Sequence, residues 1–277
     1  MNLKLFVCAL FLNTTLFAQQ SKVENEIGFW LGGANYFGDL NNGTSFKGMG
    51  PAGGLYLRNN IGSRIAFKHS INFGIVQFAD RWSKNQFNLQ RNLSFRSNIY
   101  EISSSLEFNF FKYIRHSVYR KQGMKWTPYL SLGVSLFYYS PQGRYNNEWY
   151  DLQPLGTEGQ NDPNYTGKTK YNLFAFAIPI GGGIKYNVSR YLSIGIDIAN
   201  RKTFTDYLDD VSTTYSNPLS LPDADKGIAY RLADRSGEVG APINQKGKQR
   251  GTSSKTDDFI MGGITISYTF YKAKCNF

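Results

Sequence analysis

Residues 257–277 read DDFIMGGITISYTFYKAKCNF, and from Ile264 they alternate strictly: Ile264, Ile266, Tyr268 and Phe270 on one side, Thr265, Ser267 and Thr269 on the other. A period of two with one apolar and one small polar face is the pattern of a half-buried strand. Such a strand turns its apolar face to the core of a soluble sandwich, or to lipid in a membrane barrel with a polar lumen. Composition favours the second. Aromatics make up 16% of the chain and Gly contributes 28 of 277 residues, while charged residues reach only 18%. Mean hydropathy is −0.39. Beyond the N-terminal segment no apolar run approaches the ~20 residues that a membrane helix needs.

Residues 1–18 have the form of a secretory signal peptide. Lys4 precedes an apolar run over 5–12, and the expected cleavage follows Ala18, leaving a barrel over 19–277. The apolar stretch ahead of Cys8 is too short for a lipoprotein signal. Cleavage removes Cys8 and leaves Cys275 as the single cysteine of the mature chain. An odd cysteine in an oxidising compartment points either to an intermolecular disulfide or to a free reactive thiol.

Seven further segments alternate in the same way, at 26–37, 52–59, 63–78, up to 110 from about 100, 126–139, 171–187 and 191–203. Pro179 and Gly181 to Gly183 predict a bulge or bend inside one of them. The links alternate in length: long after the first, third, fifth and seventh strands, short after the second and sixth. Outer-membrane barrels have long outside loops, short periplasmic turns and periplasmic termini. The expected fold is therefore all-β, an eight-stranded antiparallel transmembrane barrel in the outer membrane. One link departs from the rule. Residues 112–125 contain Lys112, Arg115, Arg120, Lys121 and Lys125 with no acid. This run could dock on an acidic partner or on anionic lipid headgroups, or be a solvated turn.

Strict alternation also places charges on the polar face. Glu101 and Glu107 share a face with serines, and the same parity argument puts Arg58, Lys68 and Asp197 in the lumen. Isolated charges in a small closed barrel are costly, so these five are expected to form compensating pairs.

Signals for chemistry are sparse. Of the two histidines, His69 falls on the lipid-facing side of its strand and His116 in the basic link, which argues against a histidine metal site or a catalytic triad. DPNYTGKT at 162–169 has Asp162 where a phosphate loop needs its first glycine. Asp206, Asp209 and Asp210 lack the ligand spacing of a calcium loop. No catalytic residue, metal or cofactor is expected. The formal charge of +11 is dispersed over the loops of an exported chain, which disfavours nucleic acid as a partner. A small channel and an outer-membrane enzyme acting on lipid or peptide are the rival readings.

The motifs EIGFWLGGANYFGDLN (26–41), GPAGGLYLRNNIG (50–62) and ITISYTFYKAKC (264–275) together resemble the PorG family of small barrels in the type IX secretion system of Bacteroidetes. That resemblance implies a non-enzymatic outer-membrane component that contacts a periplasmic ring made of a lipoprotein and its partner. It further implies a role in cargo export and, in gliding cells, in motility. In that setting Cys275 is expected at the periplasmic mouth, either in a disulfide with the ring lipoprotein or as an unpaired thiol. Arg115, Arg120 and Lys121 become candidate contacts for the ring.

Overall fold

A computed structural model describes residues 24–43, 45–113, 124–160, 168–217, 221, 227–243 and 245–270. Nine strands run through it: β1 (Glu24–Phe37), β2 (Met49–Asn60), β3 (Ile65–Ala79), β4 (Ser94–Asn109), β5 (Trp126–Tyr145), β6 (Glu148–Asp151), β7 (Phe174–Asn187), β8 (Leu192–Thr203) and β9 (Asp258–Phe270). Eight of them pair antiparallel with their neighbours in the ring. β1 pairs with both β2 and β9, and β4 with β5, so the sheet closes on itself. β6 lies outside the ring, paired only with the overhanging end of β5. This is a closed eight-stranded barrel with a short hairpin arm above its rim.

Alternation sets the two surfaces. Leu31, Leu55, Ile71, Ile196 and Ile264 are 60–65% exposed on the outside, whereas Trp30, Tyr56 and Ala66 are buried inside. A water-soluble protein does not leave so wide an apolar wall uncovered. A closed barrel satisfies every backbone group within the wall, which is what lipid demands. Aromatics mark both borders. Phe73, Tyr100, Tyr138 and Phe174 are register partners across β3, β4, β5 and β7, with ring centroids 5.2–6.3 Å apart. Trp126, Tyr186, Tyr191 and Tyr268 mark the opposite border. From Trp126 to Tyr138, at ~3.3 Å per residue and a tilt of ~40°, β5 rises about 30 Å, the thickness of a bilayer core. The wall is that of a small membrane-spanning β-barrel.

The two ends differ. At the turn end, β2–β3 and β7–β8 are joined by four residues each, 61–64 and 188–191, and β4–β5 by 110–125. At the loop end, four longer connections (38–48, 80–93, 146–173 and 204–257) fold over the mouth, with helices α1 (Gln86–Arg91), α2 (Leu152–Leu155) and α3 (Ile228–Ala233).

Two local expectations change. The register of β5 with β7 is the same on both sides of Pro179, from Leu132↔Ile180 to Ser135↔Ala177. Proline, having no N–H, interrupts the ladder there without inserting a residue, so there is no bulge at that point. The shift in register lies instead between Met49 and Ala52 on β2. In addition, β5 runs on to Tyr145, six residues past the expected end at 139, because β6 supplies a partner for it above the rim.

Candidate functional site

Inside the barrel near the turn end, Glu26, Arg58, Glu107 and Lys185 form one buried ionic group. Arg58 donates to Glu26 Oε2 at 2.9 Å and to Glu107 Oε1 at 3.2 Å. Its Nε lies 2.8 Å from Glu107 Oε2 as an ion-pair contact without hydrogen-bond geometry. Lys185 Nζ donates to Glu107 and, at 3.1 Å, to Asn109. Asn60 and Ser267 complete the shell of Glu26 at 2.6 and 2.9 Å.

One level higher, Lys68 pairs with Asp197, and Arg201 with Glu101 at 3.2 Å. Asn72 donates to Glu101 at 2.8 Å and accepts from the Trp30 indole at 2.8 Å. Tyr56 offers its ring to Arg58 and Lys68 at 4.9 and 5.0 Å, and Tyr129 to Lys185 at 4.2 Å. The five charges read from the sequence, Arg58, Lys68, Glu101, Glu107 and Asp197, are thus all lumenal and each faces an opposite charge. Sequence reasoning did not single out Glu26, Lys185 and Arg201. A cavity of about 30 Å³ remains among Lys68, Ser70, Asn72, Ser103, Asp197 and Arg201. It has room for a water or two, not for a through path.

Toward the loop end the lumen turns apolar. Tyr36, Phe95, Phe137, Tyr139, Phe259 and Met261 pack with Leu208 and Val211, which the 204–257 segment inserts into the mouth. Tyr36 meets Phe95 edge-on at 4.8 Å, and Phe137 meets Phe259 at 5.3 Å. Above this plug two buried arginines tie the four loops together. Arg91 grips Asp80 with two bonds of 2.8 Å and reaches the carbonyls of Asp39 at 3.1 Å and Arg250 at 2.6 Å. Arg250 in turn binds Glu158 at 3.1 Å and contacts Asp210.

Acids crowd the same layer. The Tyr36 hydroxyl lies between the carboxylates of Asp209 and Asp257, with 3.0 Å to the latter. Burial, and then repulsion from neighbouring acids, holds Asp209 and Asp257 well above the ordinary carboxylate range. Burial raises Asp206 to about 7, with Asp39 and Glu158 adding to the effect. Asp210 is raised to about 6 by burial, against the pull of Arg250.

Asp209 and Asp210 are engaged by protein donors: Tyr36 and the Val211 amide for Asp209, Thr157, Tyr171 and Arg250 for Asp210. Among the described residues no group of three or more His, Cys, Asp or Glu is placed to hold a metal. Lys168, from the 162–169 motif, donates to the carbonyls of Glu158 and Thr214; residues 162–167 lie outside the described residues. His69 lies half-buried on the outer wall of β3, between Leu57 and Ser104. Cys8, Cys275, Arg115, His116, Arg120 and Lys121 also lie outside the described residues.

Three solved barrels are similar in shape at low identity. They are the attachment invasion locus protein Ail of Yersinia pestis (7% identity, TM-score 0.41, 90% of this chain and 100% of that one), Neisserial surface protein A (10%, 0.39, 90% and 98%) and the N-terminal barrel domain of Pseudomonas aeruginosa OprF (9%, 0.36, 90% and 99%). No curated protein matches the chain. Residues 3–222, well over half of the sequence, match the model of a domain of unknown function, and the chain belongs to that family, DUF6089.

Proposed function

We propose that this barrel is a non-enzymatic component of the type IX protein secretion machinery. In this reading the turn end and both termini face the periplasm, where the barrel contacts the ring lipoprotein and its ring partner. It thereby supports cargo export and gliding. The observation that carries the reading is the sealed lumen. Every lumenal charge described above is paired, an aromatic plug closes the mouth, and among the described residues no nucleophile, base and oxyanion donor converge. Such a barrel is fitted to hold a position in the membrane and offer its ends to partners, and the PorG-like motifs at 26–41, 50–62 and 264–275 supply the machine.

Cys275 is the proposed covalent link to the ring lipoprotein, and Arg115, Arg120 and Lys121 are proposed polar contacts; outer-membrane lipid surrounds the wall. The test is a mild-detergent pulldown from outer membranes with an epitope tag placed after Gly240, an exposed position where an added Cβ would meet nothing within 4 Å. Recovery of periplasmic ring proteins, partly lost with reductant and in Cys275→Ser, is the expected result. Recovery of the barrel alone would overturn the assignment.

A further inference from the structure

The positive charge of the chain is not evenly placed. The four described lumenal acids, Glu26, Glu101, Glu107 and Asp197, are matched by Arg58, Lys68, Lys185 and Arg201. Acids and bases in the loop-end segments come close to cancelling. Contrary to the even spread over the loops expected above, the excess behind the formal charge of +11 therefore lies, along the sequence, in the N-terminal segment, at Arg64 and Arg190, in the 110–125 link and after residue 270. Among the described residues the turn end exposes Arg64, Lys112, Lys125 and Arg190, with Glu24 as its acid.

These four bases form one arc. Arg64 donates to the Phe110 carbonyl at 3.0 Å, and the Tyr113 amide bonds Ser63 at 2.9 Å. The Met124 amide bonds Lys112 at 3.1 Å, and the Asn187 amide bonds Lys125 at 2.7 Å, which brings in the 188–191 turn with Arg190. The arc runs along the rim from the β2–β3 turn to the β7–β8 turn. Immediately on the membrane side of it lie Phe110, Trp126, Tyr186 and Tyr191, each 43–49% exposed on the outer wall. Phe111 meets Trp126 edge-on at 5.0 Å, and Tyr191 stacks on Tyr268 at 5.8 Å.

Aromatics of this kind occupy the border between hydrocarbon and headgroups. Bases one or two residues beyond them fall in the plane of the lipid phosphates, on stems long enough to reach along the wall. We infer that the arc Arg64, Lys112, Lys125 and Arg190 is a binding site for the phosphate headgroups of anionic phospholipid in the leaflet it meets. An acidic protein would be expected to approach from beyond the rim. The aromatic belt directly beneath the bases favours a ligand lying in the membrane plane. The inference needs the membrane-spanning barrel and is independent of the secretion role.

The test is native mass spectrometry of the folded full-length barrel, released from detergent with either phosphatidylglycerol or phosphatidylcholine of the same acyl chains. Wild type is expected to retain phosphatidylglycerol preferentially. Arg64→Gln, Lys112→Gln and Lys125→Gln together should abolish that preference, at roughly fivefold per base, the equivalent of about 1 kcal/mol each. A loop-end control, Lys84→Gln with Lys248→Gln and Lys255→Gln, should leave it intact. Heat-modifiability on gels verifies that both variants are folded. Equal retention of the two lipids by wild type, or a preference that follows the loop-end control, overturns the proposal. So does a turn-end variant that keeps the lipid preference while losing ring proteins in the pulldown, which would assign the arc to an acidic protein.

Discussion

Glu107 is the residue on which the lower lumen depends, because it contacts both Arg58 and Lys185 directly. Glu107→Leu leaves two buried cations short of a partner, and breaking a buried pair in this way costs about 3–5 kcal/mol. Urea unfolding of the barrel in vesicles should show that loss, and an unchanged midpoint would contradict the pairing. Glu101→Leu is the parallel case, with Arg201 left behind. The inward position of these carboxylates was legible because alternation fixes parity once a strand is recognised. Their partners were harder to read for local reasons. Glu26 stands at a strand start, Lys185 follows Pro179 and three glycines that carry no alternation, and Arg201 lies in a stretch, NRKT, polar on both faces. Extending the parity of each strand through those ends puts all three inside.

At the scale of elements, the β1–β9 seam and the 204–257 loop make distinct predictions. Gly32 and Gly263 are opposite one another where the barrel closes. A Cβ at Gly32 would stand 2.0 Å from the Gly262 carbonyl oxygen and 2.5 Å from Gly263 Cα. Backbone cannot yield as a flexible side chain can, so Gly32→Val should block closure, read as loss of the heat-modifiable folded band. A folded band at wild-type yield would contradict this. The long loop behaves differently because burial raises the pKa of Asp206, Asp209 and Asp210 within it. Asp206, raised to about 7, binds its proton more tightly folded than unfolded, so its contribution to stability is complete below about pH 4 and is lost as pH rises through 7. Unfolding in urea should show a less stable protein at pH 8 than at pH 5, with Asp206→Asn flattening part of the difference; an unaltered pH slope in that variant would rule Asp206 out as the source. Arg250→Leu should unfasten Glu158 and Asp210 and expose the loop to protease while the barrel wall remains folded. None of the loop packing was readable in advance. A polar segment gives no period, and Leu208 and Val211 become plug residues only because the chain dips into the mouth.

The whole molecule is a membrane wall around a closed interior. Wall and strand count were legible from a period of two repeated eight times and from links that alternate in length. Closure of the mouth was not, because it depends on contacts between loops far apart in sequence, such as Arg91 with Asp39 and Arg250. In the proposed reading, function follows from that closure: the barrel acts through what it holds at its ends. The measurement that tests this most directly is single-channel recording of the purified barrel in planar bilayers at neutral pH. The account predicts no ohmic steps from wild type, with conductance emerging only when the lumen pairs and the loop cap are removed together. Steady, reproducible conductance from the intact wild-type protein would contradict it and make the barrel a pore.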